Sequence, residues 1–147
     1  MNTNEENVSN NNLFEVRKQK LERLKQKGIN PYPHNYNRSH TTSEAIELLE
    51  TIESTEHPPN ETEVAIAGRL MNVRDMGKVT FVDIQDISGQ IQALLRKNLL
   101  GSKYDLIADL DIGDWIGING PLIRTRRGEP SVEANSLEVL CKSLRPL

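Results

Sequence analysis

The stretch VTFVDIQDISGQIQALLR, residues 79–96, carries the pattern that decides the fold. Apolar and polar residues alternate over its first half, Ser88-Gly89 is typical of a tight turn, and an apolar run follows. Such alternation indicates half-buried strands, so the stretch predicts a β-hairpin. Burying the Asp83 carboxylate would be costly, so Val82 and Ile84 are expected to face the core.

This assignment leaves an aromatic ring, Phe81, on the polar outer face of the sheet. The returning strand is expected to place Gln92, Leu94 and Arg96 on the same outer face. If Ser88-Gly89 forms a two-residue loop, Gln85 lies opposite Gln92 and Phe81 lies opposite Arg96. The residues of the returning strand that are expected to point inward are Ile91, Ala93 and Leu95.

The flanking sequence adds one strand before this hairpin, and a helix and two strands after it. The resulting order is strand, strand, strand, helix, strand, strand, which is typical of an OB-fold, a five-stranded Greek-key β-barrel with a helix between strands 3 and 4. Short, regularly spaced strands also suit a small sandwich. The predicted elements are a strand from Val64 with a bend at Gly68, a helix over 98–111, and strands over 114–124 and about 130–140.

Residues upstream of the barrel have a helical period. Residues 1–12 are rich in Asn, Ser and Glu and predict a disordered tail. A helix over 13–27 is expected to end at Gly28, and the capping box Thr41-Thr42-Ser43-Glu44 begins a second one. The chain is therefore expected to be mainly β, with an N-terminal helical extension over 13–61 and an OB-fold domain over 62–147.

Composition excludes several classes of protein. The chain has 147 residues, a formal net charge of −3 and one cysteine, with no long apolar run that predicts a membrane span. One cysteine excludes an internal disulfide framework and fits the cytoplasm. No phosphate loop, nucleophile motif or metal-ligand spacing is present, so we expect no catalytic residue, metal or cofactor in this chain.

Positive charge is concentrated in the first helix. Residues 13–27 contain six Lys or Arg residues against two Glu residues. One interpretation is that this helix contacts nucleic-acid phosphates; the other is that it is only a solvated amphipathic helix. The first interpretation assigns phosphate contacts to Arg17, Lys18, Lys20 and Arg23.

The outer face of the hairpin suits unpaired nucleotides. A base that stacks on a ring such as Phe81 gains about 1–3 kcal/mol, and an amide such as that of Gln92 can pair with a base edge. Alternatively, the N-terminal helices or another subunit cover this ring, and the face is a protein–protein module. Arg74 and Glu129 are further candidate base readers, and the candidate phosphate contacts nearby are Lys78, Arg96, Arg126 and Arg127.

Three stretches carry a family resemblance. They are VRKQKLERLKQKGINPYPHNY (16–36), AGRLMNVRDMGKVTFVDIQDISGQIQ (67–92), and GDWIGINGPLIRTRRGEPSV (113–132) with a terminal LRPL (144–147). The chain resembles the N-terminal anticodon-binding region of bacterial class II lysyl-tRNA synthetases. The middle stretch is shared with aspartyl and asparaginyl enzymes, whereas the first stretch and LRPL resemble the lysine enzyme.

The resemblance implies a domain that binds the anticodon loop of lysine tRNA. Phe81 matches the aromatic residue that stacks on an anticodon base, and Gln92 matches the glutamine that reads the central uridine. Glu129 matches a glutamate that contacts an anticodon base, and Arg74 matches the arginine before the Met-Gly-Lys turn. A rival expectation is a general single-stranded nucleic-acid-binding OB-fold, which would not distinguish anticodon sequences.

The sequence also departs from the family pattern. The arginine pair before the Met-Gly-Lys turn is replaced by Val73-Arg74-Asp75, and Pro130 removes a backbone donor after Glu129. The class II catalytic domain would follow Leu147, so we expect this chain alone not to activate lysine. The resemblance implies that aminoacylation, with ATP and Mg²⁺, belongs to the complete enzyme, which in this family is a cytoplasmic homodimer.

Overall fold

A computed structural model describes residues 3–26 and 36–143 of the chain. Two helices precede a β-barrel, and a short helix that continues into a 3₁₀ segment interrupts the strands. The elements are α1 (Thr3–Gln26), α2 (Thr42–Glu53), β1 (Glu63–Asp75), β2 (Val79–Gln85), β3 (Gln90–Arg96), α3 (Lys97–Leu100), the 3₁₀ segment (Gly101–Asp109), β4 (Trp115–Arg124), β5 (Pro130–Ala134) and β6 (Ser136–Cys141).

The strands close into a barrel. Neighbours pair in the order β1-β2-β3-β5-β4, and β4 pairs back with β1. The β3–β5 pair is parallel, and the other pairs are antiparallel. The predicted five-stranded OB-fold, with a helix between the third and fourth strands, is therefore confirmed, and the sandwich alternative is wrong.

The predicted last strand is divided into β5 and β6. Both halves pair with β4, and between them the Asn135 amide donates a hydrogen bond to the Asn119 carbonyl (2.8 Å). The chain crosses closely at this point, because a Cβ on Gly120 would overlap the Glu133 carbonyl oxygen. β5 and β6 are thus two parts of the fifth barrel strand, separated by one residue.

β1 takes part in both halves of the barrel, and its register shifts between Leu70 and Asn72, two residues beyond the Gly68 at which the sequence predicts a bend. β1 pairs with β4 from Glu63 to Arg69 and with β2 from Arg69 to Asp75. A Cβ on Gly68 would lie 2.6 Å from Ile84 Cγ2 and 2.7 Å from the Gln85 carbonyl oxygen. A residue without a side chain is required where the strands approach this closely.

The barrel interior is apolar, as the strand faces predict. The inward residues of β2 and β3 are buried together with those of the other strands, which removes their apolar area from water. The buried set includes Ile66, Leu70, Val82, Ile84, Ile91, Ala93, Leu95, Ile116, Ile118, Val132, Leu137 and Val139.

α2 closes one end of the barrel and is fixed at both of its own ends. Its predicted capping box is present, because Thr41 Oγ1 accepts from the Glu44 amide (3.1 Å) and the Thr41 amide donates to Glu44 Oε1 (2.9 Å). At the other end Arg124 donates to both carboxylate oxygens of Glu53 (2.8 and 2.7 Å). Ala45 and Leu49 join the barrel core.

α1 begins ten residues earlier than the sequence predicts. Residues 3–12 are helical, so the disordered tail predicted for residues 1–12 is wrong over this range. The prediction rested on low apolar content, but extending an existing helix requires no new nucleus and no buried face. The predicted end at Gly28 and the proline segment up to residue 35 lie outside the described residues.

Among the helices in the described ranges, none combines the length and the apolar content that a membrane span requires.

Candidate nucleic-acid interface

The outer face of β2 and β3 carries the residues that the sequence selects, but with a different register. Phe81 lies opposite Leu94, Asp83 lies opposite Gln92, and Arg96 pairs with Val79. The predicted pairs Gln85–Gln92 and Phe81–Arg96 are therefore wrong by two residues. Because side chains alternate with a period of two, this shift leaves every residue on its predicted face.

The turn between these strands explains the register. The Asp86 amide donates to the Gly89 carbonyl (2.9 Å), so residues 86–89 form a four-residue turn. The Asp86 carboxylate accepts hydrogen bonds from the amides of Ser88 and Gly89 and from the amide and hydroxyl of Thr42. Burial raises the pKa of Asp86, but the hydrogen bonds from Ser88 and Thr42 outweigh it and lower the pKa to about 2. This carboxylate fixes both the turn and the start of α2.

Phe81 lies outside the apolar core and is partly exposed on the outer surface. Arg74, its cross-strand partner on β1, places its guanidinium 5.8 Å from the centre of the ring. This is the geometry of a cation–π contact, and it places a positive charge over the partly exposed ring. The ring therefore lies outside the barrel interior. The described parts of the N-terminal helices do not bury it completely.

Gln92 is more buried than an outward position on a sheet suggests. It is only 7% exposed, and Leu94 on the same face is 3% exposed. The cause is the parallel strand β5, which lies beside β3 and places Ser131 next to Gln92. Ser131 Oγ donates to Gln92 Oε1 at 3.0 Å. The sequence missed Ser131, because the β3–β5 pairing joins segments that are far apart in the chain.

Glu129 lies in the β4–β5 turn, two residues before Ser131. Its side chain is exposed, and its backbone exchanges hydrogen bonds with Thr125 (3.0 Å to the Thr125 amide and 3.1 Å to Thr125 Oγ1). The four predicted base-contact residues form a diagonal row across neighbouring strands. Arg74 on β1 lies opposite Phe81 on β2, and Gln92 on β3 is two residues from the partner of Phe81. Glu129 ends the row in the turn just before β5, two residues from the partner of Gln92.

Exposed cations lie in the two turns that border this row. Lys78 is in the β1–β2 turn, and Arg126 and Arg127 are in the β4–β5 turn. Arg96 is partly exposed and forms an ion pair with Glu133 on β5 (3.3 Å). Turns at these two positions are part of the ligand-binding surface of OB-folds.

Three of the four predicted phosphate contacts on α1 lie against acidic residues in and just after the 3₁₀ segment. Lys20 pairs with Asp111 (2.7 Å), Arg23 pairs with Asp109 (3.0 Å), and Arg17 lies 3.9 Å from Asp111. Burial raises the pKa of Asp111, but hydrogen bonds from Lys142 and Lys20 lower it below its ordinary value. These ion pairs dock α1 on the end of the 3₁₀ segment and the loop that leads to β4, which the sequence did not reveal. Of the four predicted phosphate contacts on α1, Lys18 and Arg23 are exposed, and Arg23 is the one of these two that forms an ion pair with Asp109.

A second aromatic–arginine pair lies elsewhere on the barrel. Trp115 on β4 is 36% exposed, and Arg69 of β1 places its guanidinium 5.5 Å from the ring centre. Arg69 and Arg74 are five residues apart on β1, or about 16 Å along a strand. This pair has the same chemistry as Phe81 and Arg74 but lacks the neighbouring Gln92 and Glu129. It therefore serves as an internal control.

Within the described residues no group of three or more His, Cys, Asp or Glu side chains is placed to hold a metal ion.

The barrel, with an aromatic residue and polar side chains on the outer face of β2 and β3, defines a class of nucleic-acid-binding domain. The chain belongs to the family of OB-fold nucleic acid binding domains of the tRNA anticodon type, whose family model matches residues 64–140.

The most informative relatives are lysine–tRNA ligases. The chain is 52% identical over 130 residues to the lysine–tRNA ligase of Dehalococcoides mccartyi, which covers 88% of this chain and 26% of the relative. It is 47% identical over 138 residues to that of Pelotomaculum thermopropionicum (93% and 26%). It is 44% identical over 140 residues to that of Staphylococcus epidermidis (93% and 28%). The chain thus spans about a quarter of the length of these relatives.

Proposed function

We propose that this chain binds the anticodon loop of lysine tRNA as the recognition domain of a lysine–tRNA ligase. The observation that carries the proposal is the row formed by Arg74, Phe81, Gln92 and Glu129 on the outer face of the barrel. The similarity to lysine–tRNA ligases over most of this chain supports the choice of tRNA.

Stacking is the main attractive interaction in this proposal. An unpaired base lies on the Phe81 ring, which contributes about 1–3 kcal/mol in proteins that bind single strands. Arg74, 5.8 Å from the ring centre, holds a positive charge close to the backbone of the stacked nucleotide. The site therefore requires an unpaired nucleotide, since bases inside a duplex have no free face.

Hydrogen bonds supply the sequence preference. The Gln92 amide pairs with the edge of the central uridine, and the Glu129 carboxylate accepts from an amino or imino group of a neighbouring base. Lys78, Arg126 and Arg127 neutralise phosphates on either side of the row.

Aminoacylation, its ATP and Mg²⁺, and dimerisation belong in this proposal to the rest of such a ligase. No step of the recognition mechanism passes through a metal ion or ATP.

Binding of RNA stem-loops tests the proposal. We expect the chain to bind a lysine anticodon stem-loop more tightly than a stem-loop with an unrelated loop, at two salt concentrations. Phe81→Ala is expected to weaken binding about 5- to 150-fold, which corresponds to the loss of one stacked base. Trp115→Ala is the matched control, and it is expected to change affinity less than about twofold because its ring is remote from the row.

Other outcomes identify the rival functions. Equal affinity for both loops would contradict lysine tRNA recognition and favour a general single-strand-binding OB-fold. The same loss of affinity for Phe81→Ala and Trp115→Ala would contradict the placement of the site. The absence of any RNA binding would favour a protein-docking face.

A further inference from the structure

The hydroxyl group of Ser131 lies between the two predicted base readers. Ser131 is 0% exposed, and its Oγ is 3.0 Å from Gln92 Oε1 and 3.2 Å from the Glu129 carbonyl oxygen. We propose that Ser131 is a positioning residue that fixes which end of the Gln92 amide faces the RNA, and so makes the site select uracil over cytosine. The inference rests on the proposed function, because it requires a base to meet Gln92.

A hydroxyl group has one proton to donate. Both nearby oxygens are acceptors, and the shorter distance is to Gln92 Oε1. Donation to that oxygen turns the carbonyl end of the amide towards β5 and leaves the Nε2 protons for another partner. Because Gln92 is only 7% exposed, its side chain has little room to move away, and the main freedom left is which end of the amide faces Ser131.

The opposite flank of Gln92 favours the same orientation. Asp83 on β2 is its direct cross-strand neighbour, and a carboxylate accepts hydrogen bonds but does not donate them. A negative charge on that flank favours the amide orientation that turns Oε1 towards β5, and the two protons of Nε2 then lie on the side of β2 and of the outer surface. The side chains on the two strands next to β3 therefore favour the same orientation of the Gln92 amide, with Oε1 towards β5.

This orientation distinguishes the two pyrimidines. Position 4 of uracil carries an oxygen that accepts a hydrogen bond, as in thymine, whereas position 4 of cytosine carries an amino group that donates. An outward Nε2 group donates a hydrogen bond to the position-4 oxygen of uracil. In cytosine it meets an amino group, which is also a donor. The reverse orientation, with the Ser131 proton on the Glu129 carbonyl and Oε1 outward, would favour cytosine.

The test compares stem-loops that differ only by uracil or cytosine at the base that Gln92 contacts. The wild-type chain is expected to prefer uracil by about 5- to 150-fold. Ser131→Ala removes the donor and frees the amide to present either end, so this ratio is expected to fall at least about threefold. Ser131→Thr keeps the hydroxyl and is expected to restore the ratio. A merely structural role would weaken binding of both loops equally and leave the ratio unchanged, which would overturn the inference.

A third stem-loop tests the contact between Gln92 and position 4 of the base separately from any loss of protein stability in a variant. It carries 2-pyrimidinone in place of uracil, a base that differs from cytosine only in lacking the group at position 4. Ser131→Ala is expected to have no selective effect on this loop, and an equal loss on the uracil and pyrimidinone loops would contradict the inference. In the wild-type chain, the Gln92 side-chain amide resonances are expected to shift with the uracil loop more than with the pyrimidinone loop, and equal shifts would overturn the inference without any variant.

Failure of the proposed function gives a different result. If the wild-type chain does not distinguish a lysine anticodon stem-loop from an unrelated one, the proposed function fails and this inference fails with it. If the wild-type chain makes that distinction but prefers cytosine, or keeps its uracil preference in Ser131→Ala, only the role of Ser131 is refuted.

Discussion

Asp86 joins the β2–β3 turn to the start of α2, and its replacement should reveal how strongly this junction stabilises the barrel. The carboxylate accepts from Thr42, Ser88 and Gly89, and its pKa falls from 3.8 to about 2. A shift of that size corresponds to an upper value of about 2.4 kcal/mol, at 1.36 kcal/mol for each pKa unit. Solvent screening reduces it, so Asp86→Asn is expected to lower the free energy of unfolding at pH 7 by about 1–2 kcal/mol.

The pH dependence of this loss distinguishes charge from packing. The folded-state pKa is depressed, so the charge contributes fully above the unfolded-state value and is lost as the pH falls towards 2. At pH 3 about half of the contribution should remain, and the difference between wild type and Asp86→Asn should shrink accordingly.

Urea unfolding followed by circular dichroism, between pH 7 and pH 3, measures both effects. Asp105→Asn removes an exposed carboxylate from the 3₁₀ segment and is the matched control, with an expected change below about 0.5 kcal/mol. A difference between wild type and Asp86→Asn that is the same at pH 7 and pH 3 would refute the electrostatic argument. A loss no larger than that of Asp105→Asn would refute the importance of the junction.

Two further predictions concern the binding turns and the core. Arg126→Ala and Arg127→Ala are each expected to reduce the slope of log K against log salt by about 0.7–0.9, whereas Lys20→Gln, already paired with Asp111, should leave the slope unchanged. A salt titration with a stem-loop checks this, and equal slopes for wild type and the arginine variants would contradict phosphate contact. Ile84→Ala, at a fully buried position, should cost about 2–5 kcal/mol of unfolding free energy, and a loss below about 1 kcal/mol in urea would contradict the barrel core.

The faces of β2 and β3 could be predicted from the sequence because the free-energy cost of burying one carboxylate decides which side of the sheet faces the core. Burial of Asp83 is unfavourable, and that alone orients β2 and places Phe81 outside. The register could not be predicted in the same way. It depends on a turn whose carboxylate, Asp86, also binds Thr42, which lies 44 residues away in sequence.

The environments of the site residues were harder to predict than their faces. Gln92 is on its predicted face but is buried, because β5 pairs with β3 through a long connection. The first helix has the predicted charge, yet Lys20 and Arg23 find Asp111 and Asp109 at sequence separations of 91 and 86. A local charge count cannot reveal partners at such separations.

The account depends most on contact between an unpaired base and the outer face of β2 and β3. The most direct measurement is a titration of the isotope-labelled wild-type chain with a lysine anticodon stem-loop, observed by NMR at each ring and backbone amide. We expect the largest shifts, and intermolecular contacts to base protons, at Phe81, with smaller shifts at Arg74, Gln92 and Glu129 and none at Trp115. Base contacts at Trp115, or unshifted Phe81 signals in a saturated complex, would contradict the account.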